Sequence, residues 1–347
     1  MKALGPLAVT AVMPVYNGAR YLEQSLASIT AQTIAPHEVI VVDDGSADES
    51  AEIVERFAAA HPELAIRLHR QANAGQSAAR NHAVSMASGE LIAFIDQDDQ
   101  WTKDHLELLT VPFAQDEKIG FAYGDFDEID GEGSWVVRGY IAAHEVVHPR
   151  NSVIQWLASD TMVLPSSAVV RRSAFLGVGG FDPRLVGYED DDLWVRLFRA
   201  GWTSRFVEQS VTAFRVHPES SSRRGSFRES RVIFFEKFSA LIPDAPEIHR
   251  YYVSDVLLPR IVRSALAEYL GHLRAHRDSE ALAVADTIDR VFEIHPSRVL
   301  RSRERWLLRR PSMARVMLRS LRSIRTSMPV RLNPGRRLRE GYHEWSG

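Results

Sequence analysis

The chain has 347 residues, 45% of them hydrophobic and 25% charged, an ordinary globular composition that can form one large domain with an appendage or two domains. It has no cysteine, no visible signal peptide and no apolar run as long as the roughly 18 residues of a membrane span, so we expect a cytoplasmic protein. The net charge of −3 hides an asymmetry, because residues 298–347 hold 14 arginines and three acids while 1–297 hold 28 basic and 42 acidic residues.

The first half of the chain predicts repeated strand–helix units. Apolar runs that favour strands occur at 8–13, 38–42, 66–68, 91–95 and 119–126. Helices are predicted between them at 22–29, after a capping box formed by Ser46 and Glu49, and at 77–88. Strands that alternate with helices predict an α/β fold with a mostly parallel sheet and helices on both faces.

The second half of the chain predicts a smaller sheet region followed by helices. Its predicted elements are a hairpin or loop insertion at 128–150, helices at 152–159 and 189–200, and two short strands at 203–207 and 211–216. From about residue 227 the apolar periodicity is purely helical. We therefore expect one domain at 1–222 and a helical C-terminal region at 223–347, which ends in a basic tail at 298–347.

Polar residues follow three of the predicted strands, at 14–17, 43–46 and 96–99. Ligands of parallel sheets bind beyond the carboxyl ends of the strands, so five carboxylates are expected around one crevice. Each Asp could instead cap a helix or close a turn. Crowded carboxylates repel one another unless a cation neutralises them, and an Asp-x-Asp pair offers the hard oxygen ligands that Mg²⁺ or Mn²⁺ prefers. Such an ion leaves room for substrate phosphates and can stabilise a diphosphate leaving group.

Short motifs recur in a fixed order over residues 8–222. In chain order they are 12–17 (VMPVYN), 41–46 (VVDDGS) with Asp48, 73–75 (NAG), 79–81 (ARN), 89–99 (GELIAFIDQDD), 179–182 (GGFD), 188–193 (YEDDDL), Arg196 and 215–217 (RVH). No single motif is specific, but the ordered set resembles the family 2 glycosyltransferases, which have the GT-A fold. The resemblance implies a Rossmann-like, mostly parallel sheet with a nucleotide-sugar half at about 1–125 and an acceptor half at about 126–222.

The resemblance also implies where the nucleotide-sugar donor binds. The donor-binding residues that it implies are Pro14, Val15 and Tyr16 at the base and ribose, Asp43 or less favourably Asp44 at the base, Arg80 at the base or diphosphate, Asp96 at the ribose, and Gln97. It implies a divalent metal, Mn²⁺ or Mg²⁺, held by Asp98 and His217, with Asp99 as a looser candidate. The expected acceptor is a hydroxyl group of a glycan, a lipid-linked glycan or a cell-envelope precursor in polysaccharide biosynthesis.

Asp190 is the general base that the resemblance implies, and single displacement would invert the anomeric centre. The residues themselves support this role, because 189–192 are four consecutive acids at a helix start. The helix dipole favours acids there, but capping explains only one or two of them. Neighbouring negative charge should raise the pKa of one member, which suits a base. Asp191 stands where a non-acidic residue is common in the family, so either neighbour remains open as the base.

Other enzyme classes fit the sequence less well. A dinucleotide-binding dehydrogenase is disfavoured, because Asn17-Gly18 stands where a Gly-x-Gly-x-x-Gly motif would follow the first strand. A metal-dependent phosphatase of the haloacid dehalogenase type shares the strand followed by Asp96-Gln97-Asp98, but Gln100 stands where Thr or Val is usual. A non-catalytic domain that binds nucleotide sugars or acts as a scaffold is the third alternative.

Three further features are open at this point. The segment 219–228 is either a loop in which Arg223 or Arg224 closes over the diphosphate or a polar linker. Trp101 is expected near the acceptor side, although core packing is the commoner fate of a Trp. The tail at 298–347 is expected to lie on an anionic membrane, at the inner face of the cell membrane, or to pack on the acidic body. Nucleic-acid binding is disfavoured, and the oligomeric state is not predicted.

Overall fold

The computed structural model describes residues 7–218, 227–296, 300 and 302–317. The chain divides into two compact units, one from Met1–Asn151 with Thr161–Arg223 and the other from Ser152–Asp160 with Arg224–Gly347. The expected boundary at 222 lies close to this division, but residues 152–160 belong to the second unit. The division into functional domains stays a prediction.

The first unit contains one sheet of nine strands within the described residues. The strands are β1 (Val9–Val15), β2 (Glu38–Asp43), β3 (Ile66–Arg70), β4 (Leu91–Phe94), β5 (Gln100–Trp101), β6 (Ile119–Ile129), β7 (Trp135–Val137), β8 (Ala168–Arg171) and β9 (Thr203–Arg215). Their order across the sheet is β3-β2-β1-β4-β8-β6-β9-β5, and β7 pairs with β6.

Eight helices accompany the sheet or flank it in the sequence. They are α1 (Leu22–Thr30), α2 (Ser50–Ala60), α3 (Gln76–Met86), α4 (His105–Gln115), α5 (Tyr140–Ala143), α6 (Val153–Ala158), α7 (Arg172–Gly177) and α8 (Glu189–Arg199), of which α6 belongs to the second unit. β1, β2 and β4 are buried along their whole length, because their Val-, Ile- and Leu-rich runs have no polar face to turn to water. The core cluster includes Leu22, Leu26 and Ile29 of α1, the three residues that predicted this helix.

Strand direction differs between the two halves of the sheet. β1, β2, β3 and β4 are mutually parallel, as the strand–helix alternation predicts. Beyond β4 the sheet is mixed, because β8 is antiparallel to both β4 and β6 while β9 is parallel to β6. The predicted α/β class with helices on the sheet and a helical C-terminal region is confirmed.

Two local predictions need correction. The two short strands predicted at 203–207 and 211–216 form the single strand β9, which pairs with β6 through several register shifts. Ser46 and Glu49 do not form a capping box, because α2 begins at Ser50 with Glu49 as its N-cap and no side-chain cap. The Ser46 hydroxyl instead accepts a hydrogen bond from the amide of Asn17, at 2.9 Å.

The second unit is helical. In addition to α6 it contains α9 (Phe227–Leu241), a π-helical turn at Val253–Leu257, α10 (Leu258–Arg274), α11 (Asp278–Ile294), α12 (Ser302–Leu308) and α13 (Pro311–Val316). Apolar faces of α10 and α11 bury residues such as Leu266, Leu270 and Ile288. No described helix is both long and apolar enough to cross a membrane.

Candidate active site

Several strand ends lie at one edge of the sheet. β6 and β9 run in the same direction as β1, β2 and β4, because β8 reverses the direction once on each of its sides. The loops that follow β1, β2, β4, β6 and β9 therefore share this edge, together with the residues that precede β8. Ligands of open α/β sheets bind at such an edge, so it is the candidate active site.

The loop after β1 is fixed against the loop after β4. The Tyr16 amide donates a hydrogen bond to Oε1 of Gln97, at 2.7 Å, and Nε2 of Gln97 donates to the Tyr16 carbonyl, at 3.2 Å. A Cβ at Gly18 would meet the end of the Gln97 side chain, so a larger residue there would displace the Gln97 amide from the Tyr16 backbone. Pro14 and Val15 are buried within β1, whereas the Tyr16 side chain is 41% exposed. Of these three residues, Tyr16 is thus the one with an exposed side chain.

The two aspartates after β2 have different hydrogen-bond partners. Asp44 orders the loop before α3, because its Oδ1 accepts from the Ala74 amide at 2.9 Å and its Oδ2 accepts from the Gly75 amide at 2.8 Å. Asp43 accepts one hydrogen bond within the described residues, from the Ser46 amide to Oδ1 at 2.9 Å. Its second oxygen remains available to a ligand, which favours Asp43 over Asp44 as the residue that contacts the base.

Arg80 joins the loop after β4 to the start of α8. Its Nη2 donates to Oδ1 of Asp96 at 2.5 Å, and its Nη1 donates to Oε1 of Glu189 at 3.4 Å. The guanidinium is 1% exposed. Burial lowers the pKa of Arg80, but the carboxylates of Asp96 and Glu189 outweigh it and the net shift is upward. The charge of Arg80 is therefore engaged by two carboxylates of the protein, and the predicted contact of Arg80 with the donor stays a prediction.

Asp98 and His217 lie in contact at the same edge. Nε2 of His217 and Oδ2 of Asp98 are 2.9 Å apart, and the side chains are 9% and 24% exposed. Burial and the neighbouring Asp96 carboxylate raise the pKa of Asp98, although the hydrogen bond to His217 opposes this. The described residues contain no cluster of three or more His, Asp or Glu side chains suited to a metal ion. A pair of protein ligands is nevertheless what Mg²⁺ commonly uses, since waters and substrate phosphates fill its other positions.

Asp99 faces into the protein. It is 1% exposed, and its Oδ1 accepts a hydrogen bond from the Arg215 amide at 3.0 Å. Burial, followed by the carboxylates of Asp98 and Asp96, raises the pKa of Asp99 well above the ordinary value. The geometry thus separates the two neighbours, since Asp98 meets His217 at the edge whereas Asp99 is enclosed.

Three of the four acids at the start of α8 are bound by the fold. Glu189 accepts from the Gly187 amide at 2.8 Å, and Asp191 accepts from the Thr161 amide at 3.0 Å. Asp192 accepts from Nε of Arg196 at 2.8 Å.

Asp190 differs from these neighbours. Its carboxylate accepts one hydrogen bond within the described residues, from the Asp191 amide at 2.7 Å. Burial, followed by the charges of Asp191 and Glu189, raises the pKa of Asp190 well above the ordinary value. A partly buried carboxylate with a raised pKa and no side-chain partner has the properties of a general base.

The structure adds residues at this edge that the sequence did not indicate. The hydroxyl of Ser166, which precedes β8, accepts from the Asp96 amide at 3.1 Å. Arg215 is 1% exposed and contacts several segments of the edge. No sequence signal pointed to Ser166, because β8 is short and breaks the strand–helix alternation. Arg215 was visible only as part of the 215–217 motif.

Trp101 packs in the core, which is the commoner fate of a Trp and the alternative that the sequence left open. It is 5% exposed, its indole stacks on His105 with ring centroids 4.3 Å apart, and its Nε1 donates to the Ser166 carbonyl at 3.0 Å. Its apolar surface therefore belongs to the core. Arg223 and Arg224, predicted to close over the diphosphate, lie outside the described residues.

Comparison with known proteins identifies relatives of this chain. The family model described as "Glycosyl transferase family 2" matches residues 10–178. An uncharacterized glycosyltransferase of Escherichia coli K12, YibD, is 35% identical over 260 residues, which are 72% of this chain and 73% of YibD. The chain spans about half or less of the length of the first curated relatives that it matches.

Solved structures share the fold. Residues 1–349 of S. aureus TarS, in complex with UDP-GlcNAc, give a TM-score of 0.60 at 18% identity over 92% of this chain and 90% of that one. The mannosyltransferase PcManGT of Pyrobaculum calidifontis, in complex with GDP-Man and Mn²⁺, gives a TM-score of 0.53 at 20% identity over 93% of this chain and 84% of that one. At these identities the likeness establishes the fold alone.

Proposed function

The chain belongs to glycosyl transferase family 2, with a fold of the GT-A type, and from this premise we propose that it transfers a sugar from a nucleotide-diphosphate sugar to a hydroxyl acceptor with inversion. Asp190 is the proposed general base. The observation that carries the proposal is the position of Arg80. Its buried guanidinium binds both Asp96, in the loop after β4, and Glu189, the residue before Asp190. This contact supports the proposal that the loop after β4 and Asp190 act in one site.

The proposed reaction balances with Asp190 as the sole proton acceptor. The Asp190 carboxylate takes the proton of the acceptor hydroxyl, and the acceptor oxygen forms a bond to the anomeric carbon. The bond from that carbon to the diphosphate oxygen breaks on the opposite face, and the nucleoside diphosphate leaves with the electron pair. A raised pKa suits this role, because a base that binds its proton more tightly takes it more readily from a hydroxyl.

We propose that a divalent metal, Mn²⁺ or Mg²⁺, is held at this edge by Asp98 and His217. Burial and then the neighbouring Asp96 carboxylate raise the pKa of Asp98, so a cation bound by Asp98 and His217 would offset negative charge at this edge. When bound, the ion would supply positive charge to the diphosphate leaving group. Tyr16, Gln97 and Asp43 are the proposed contacts of the base and ribose. UDP-GlcNAc in the TarS complex and GDP-Man with Mn²⁺ in the PcManGT complex support a donor and metal of this kind.

The proposed acceptor is a glycan, a lipid-linked glycan or another cell-envelope precursor. Curated relatives named as chondroitin synthases, from Escherichia coli and Pasteurella multocida, support a polysaccharide acceptor. Membership of the family disfavours the phosphatase hypothesis. The non-catalytic alternative is disfavoured by Asp190, because a carboxylate with a raised pKa and, within the described residues, no side-chain hydrogen-bond partner is unfavourable for stability and unnecessary for binding.

Titration with UDP and GDP, each with and without Mn²⁺, tests the donor and metal proposals together by calorimetry. We expect one nucleotide to bind more tightly than the other and its affinity to increase with Mn²⁺. Asp98→Ala should remove the increase, while Asp116→Ala, at an exposed turn before β6, should preserve it. Failure of both nucleotides to bind the unchanged protein under any condition would contradict the proposed function.

The basic tail carries a second proposal, contact with an anionic membrane. Part of the tail is already paired, because Arg305 and Arg309 both bind Asp289 of α11, with Nη2–carboxylate distances of 2.7 and 2.5 Å. Within the described residues Arg303 has no ion pair, and the Arg310 guanidinium lies 4.0 Å from the ring centroid of Trp306, which is 47% exposed. An exposed Trp covered by Arg310, with Arg303 outside any ion pair in the described part of the chain, suits the surface of an anionic bilayer.

Removing residues 318–347 tests this contact in a chain that keeps α12 and α13. These residues include seven arginines and lie outside the described part of the chain. Co-sedimentation with phosphatidylglycerol vesicles at low salt should fall on truncation, because each arginine near the surface contributes about 1 kcal/mol. Phosphatidylcholine vesicles are the control. Equal sedimentation of both chains would favour a tail that packs on the protein.

A further inference from the structure

Arg215 is buried at the end of β9 and contacts three other segments of the site edge. Its Nε donates to the Asp98 carbonyl at 3.0 Å and its Nη1 donates to the Asp130 carbonyl, after β6, at 3.2 Å. Its Nη2 donates to Oε1 of Gln24, on α1, at 2.9 Å. The side chain therefore connects the loop after β4, the turn after β6 and α1 through hydrogen bonds of ordinary length.

The backbone of the same residue holds the next acid of the loop. The Arg215 amide donates to Oδ1 of Asp99 at 3.0 Å, and its guanidinium lies 4.6 Å from the ring centroid of Tyr21. The Tyr21 ring also contacts the His217 imidazole, with centroids 5.0 Å apart. Residues 98 and 99 are thus held by Arg215 from one side, and His217 is held by a ring that Arg215 covers.

These contacts restrain both members of the Asp98–His217 pair. Asp98 is fixed through its own carbonyl, and His217 follows Arg215 by two residues on the continuation of β9. The distance of 2.9 Å between Nε2 of His217 and Oδ2 of Asp98 depends on the placement of both segments. A planar guanidinium can meet the Asp98, Asp130 and Gln24 oxygens at fixed angles, whereas a lysine ammonium offers one nitrogen.

We propose that Arg215 is a positioning residue that holds Asp98 and His217 in the relative placement needed to bind a divalent cation. The inference rests on the proposed function, because it assigns a purpose to the same pair. Arg215 itself does not touch the cation or the donor in this role. Partners behind metal ligands commonly change metal affinity by about 10- to 100-fold when they are removed. The effect of losing Arg215 should therefore appear in cation affinity rather than in donor recognition.

Arg215→Lys is the principal test. Binding of Mn²⁺ alone is measured first, from the electron paramagnetic resonance signal of the free ion. We expect Mn²⁺ affinity to fall about tenfold or more, while metal-free affinity for UDP or GDP stays within about twofold. Hydrogen–deuterium exchange should rise in 96–100 and 130–133, the segments that Arg215 holds. An Mn²⁺ affinity equal to that of the unchanged protein would overturn the inference.

Arg260→Lys is the matched control for the loss of a buried arginine. Arg260 is 3% exposed, donates to the Leu157 carbonyl at 3.4 Å and lies 5.2 Å from the Phe234 ring centroid, all within the second unit. Both variants should lower the melting temperature, but only Arg215→Lys should weaken Mn²⁺ binding. Equal loss of Mn²⁺ affinity in both variants would show a general effect of destabilisation and overturn the inference.

Gln24→Ala covers the case in which Arg215→Lys does not fold. Gln24 is exposed on α1 and supplies one of the oxygens that orient the guanidinium, so its removal leaves the buried arginine in place. We expect a severalfold weaker Mn²⁺ affinity with little loss of stability, and an unchanged affinity would count against the inference. If the unchanged protein binds neither Mn²⁺ nor a nucleotide diphosphate, the proposed function fails instead, so the two failures are distinguishable.

Discussion

Acidic residues have different surroundings in the two units of the molecule. On α11 of the helical unit, Asp278, Asp286 and Asp289 are each paired with an arginine of α12, α13 or the connection between them. These carboxylates keep 59% to 21% of their side-chain surface exposed. At the sheet edge, in contrast, the pKa values of Asp99 and Asp190 are raised well above the ordinary value, chiefly by burial.

The difference separates acids that support the fold from acids that are suited to chemistry. An exposed ion pair loses little solvation and contributes modestly to stability. A buried carboxylate among other carboxylates is unfavourable, and proteins commonly keep such groups at functional sites. Changes to the edge acids should therefore alter function more than stability, and changes to the α11 acids should do the reverse.

The largest expected effect is on transfer by Asp190→Asn. Loss of a general base should lower kcat by about 10²- to 10⁴-fold while the donor affinity stays within about twofold. Asp191→Asn is the matched control, because the Asp191 carboxylate is held by Thr161 and its loss should reduce stability but retain most of the transfer activity. Steady-state kinetics with a responsive donor and acceptor measure both. Full activity of Asp190→Asn would assign the base elsewhere.

The same substitution should change stability with a definite sign. The folded-state pKa of Asp190 lies above the unfolded value near 3.8, so the native state binds this proton more tightly. The stability that the group contributes is present at low pH and is lost as the pH rises from about 3.8 through the raised pKa. Asp190→Asn should therefore be relatively more stable above this window. Melting temperatures at several pH values measure it, and a lower melting temperature for the variant at pH 8 would contradict this account.

An intermediate effect is expected from Arg80→Met. The positive charge of Arg80 lowers the pKa of Asp190, so its removal should raise that pKa and move the acid limb of the pH–rate profile to higher pH. Breaking a buried ion pair also destabilises a protein by about 3–5 kcal/mol. Arg80→Lys keeps the charge and should hold the acid limb closer to its original position. Identical acid limbs in the unchanged protein and Arg80→Met would remove the proposed link between Arg80 and Asp190.

The smallest effect is expected from Asp289→Asn on α11. It weakens the partly exposed pairs with Arg305 and Arg309, which should reduce the free energy of unfolding by about 1 kcal/mol or less. Transfer kinetics should not change. Urea unfolding at low and high salt measures the effect, which should shrink as salt screens the pairs. A large loss of activity would mean that the contrast between the two sets of acids is not a contrast between function and fold.

Local sequence pattern predicted the first half of the sheet and the polar residues at its strand ends, whereas most candidate site residues and their roles were implied by the family resemblance. The Val- and Ile-rich runs of β1, β2 and β4 are buried on both faces, so composition alone predicts parallel strands with polar residues at their ends. Four consecutive acids at the start of α8 likewise indicated a base, because one cap does not need them all.

Tertiary structure alone decided which partners those residues have and which of them are buried. β8 and Ser166 depend on antiparallel pairing between strands far apart in sequence, which leaves no local period. The sequence could not distinguish Asp190 from Asp191, because the difference is a hydrogen bond from Thr161, 30 residues away. The sequence likewise could not show that Arg80 and Arg215 are buried, since burial is set by the packing of segments that are distant in sequence. The sequence shows where acidic residues cluster, but only their hydrogen bonds and ion pairs in the folded chain determine which carboxylate remains suited to chemistry.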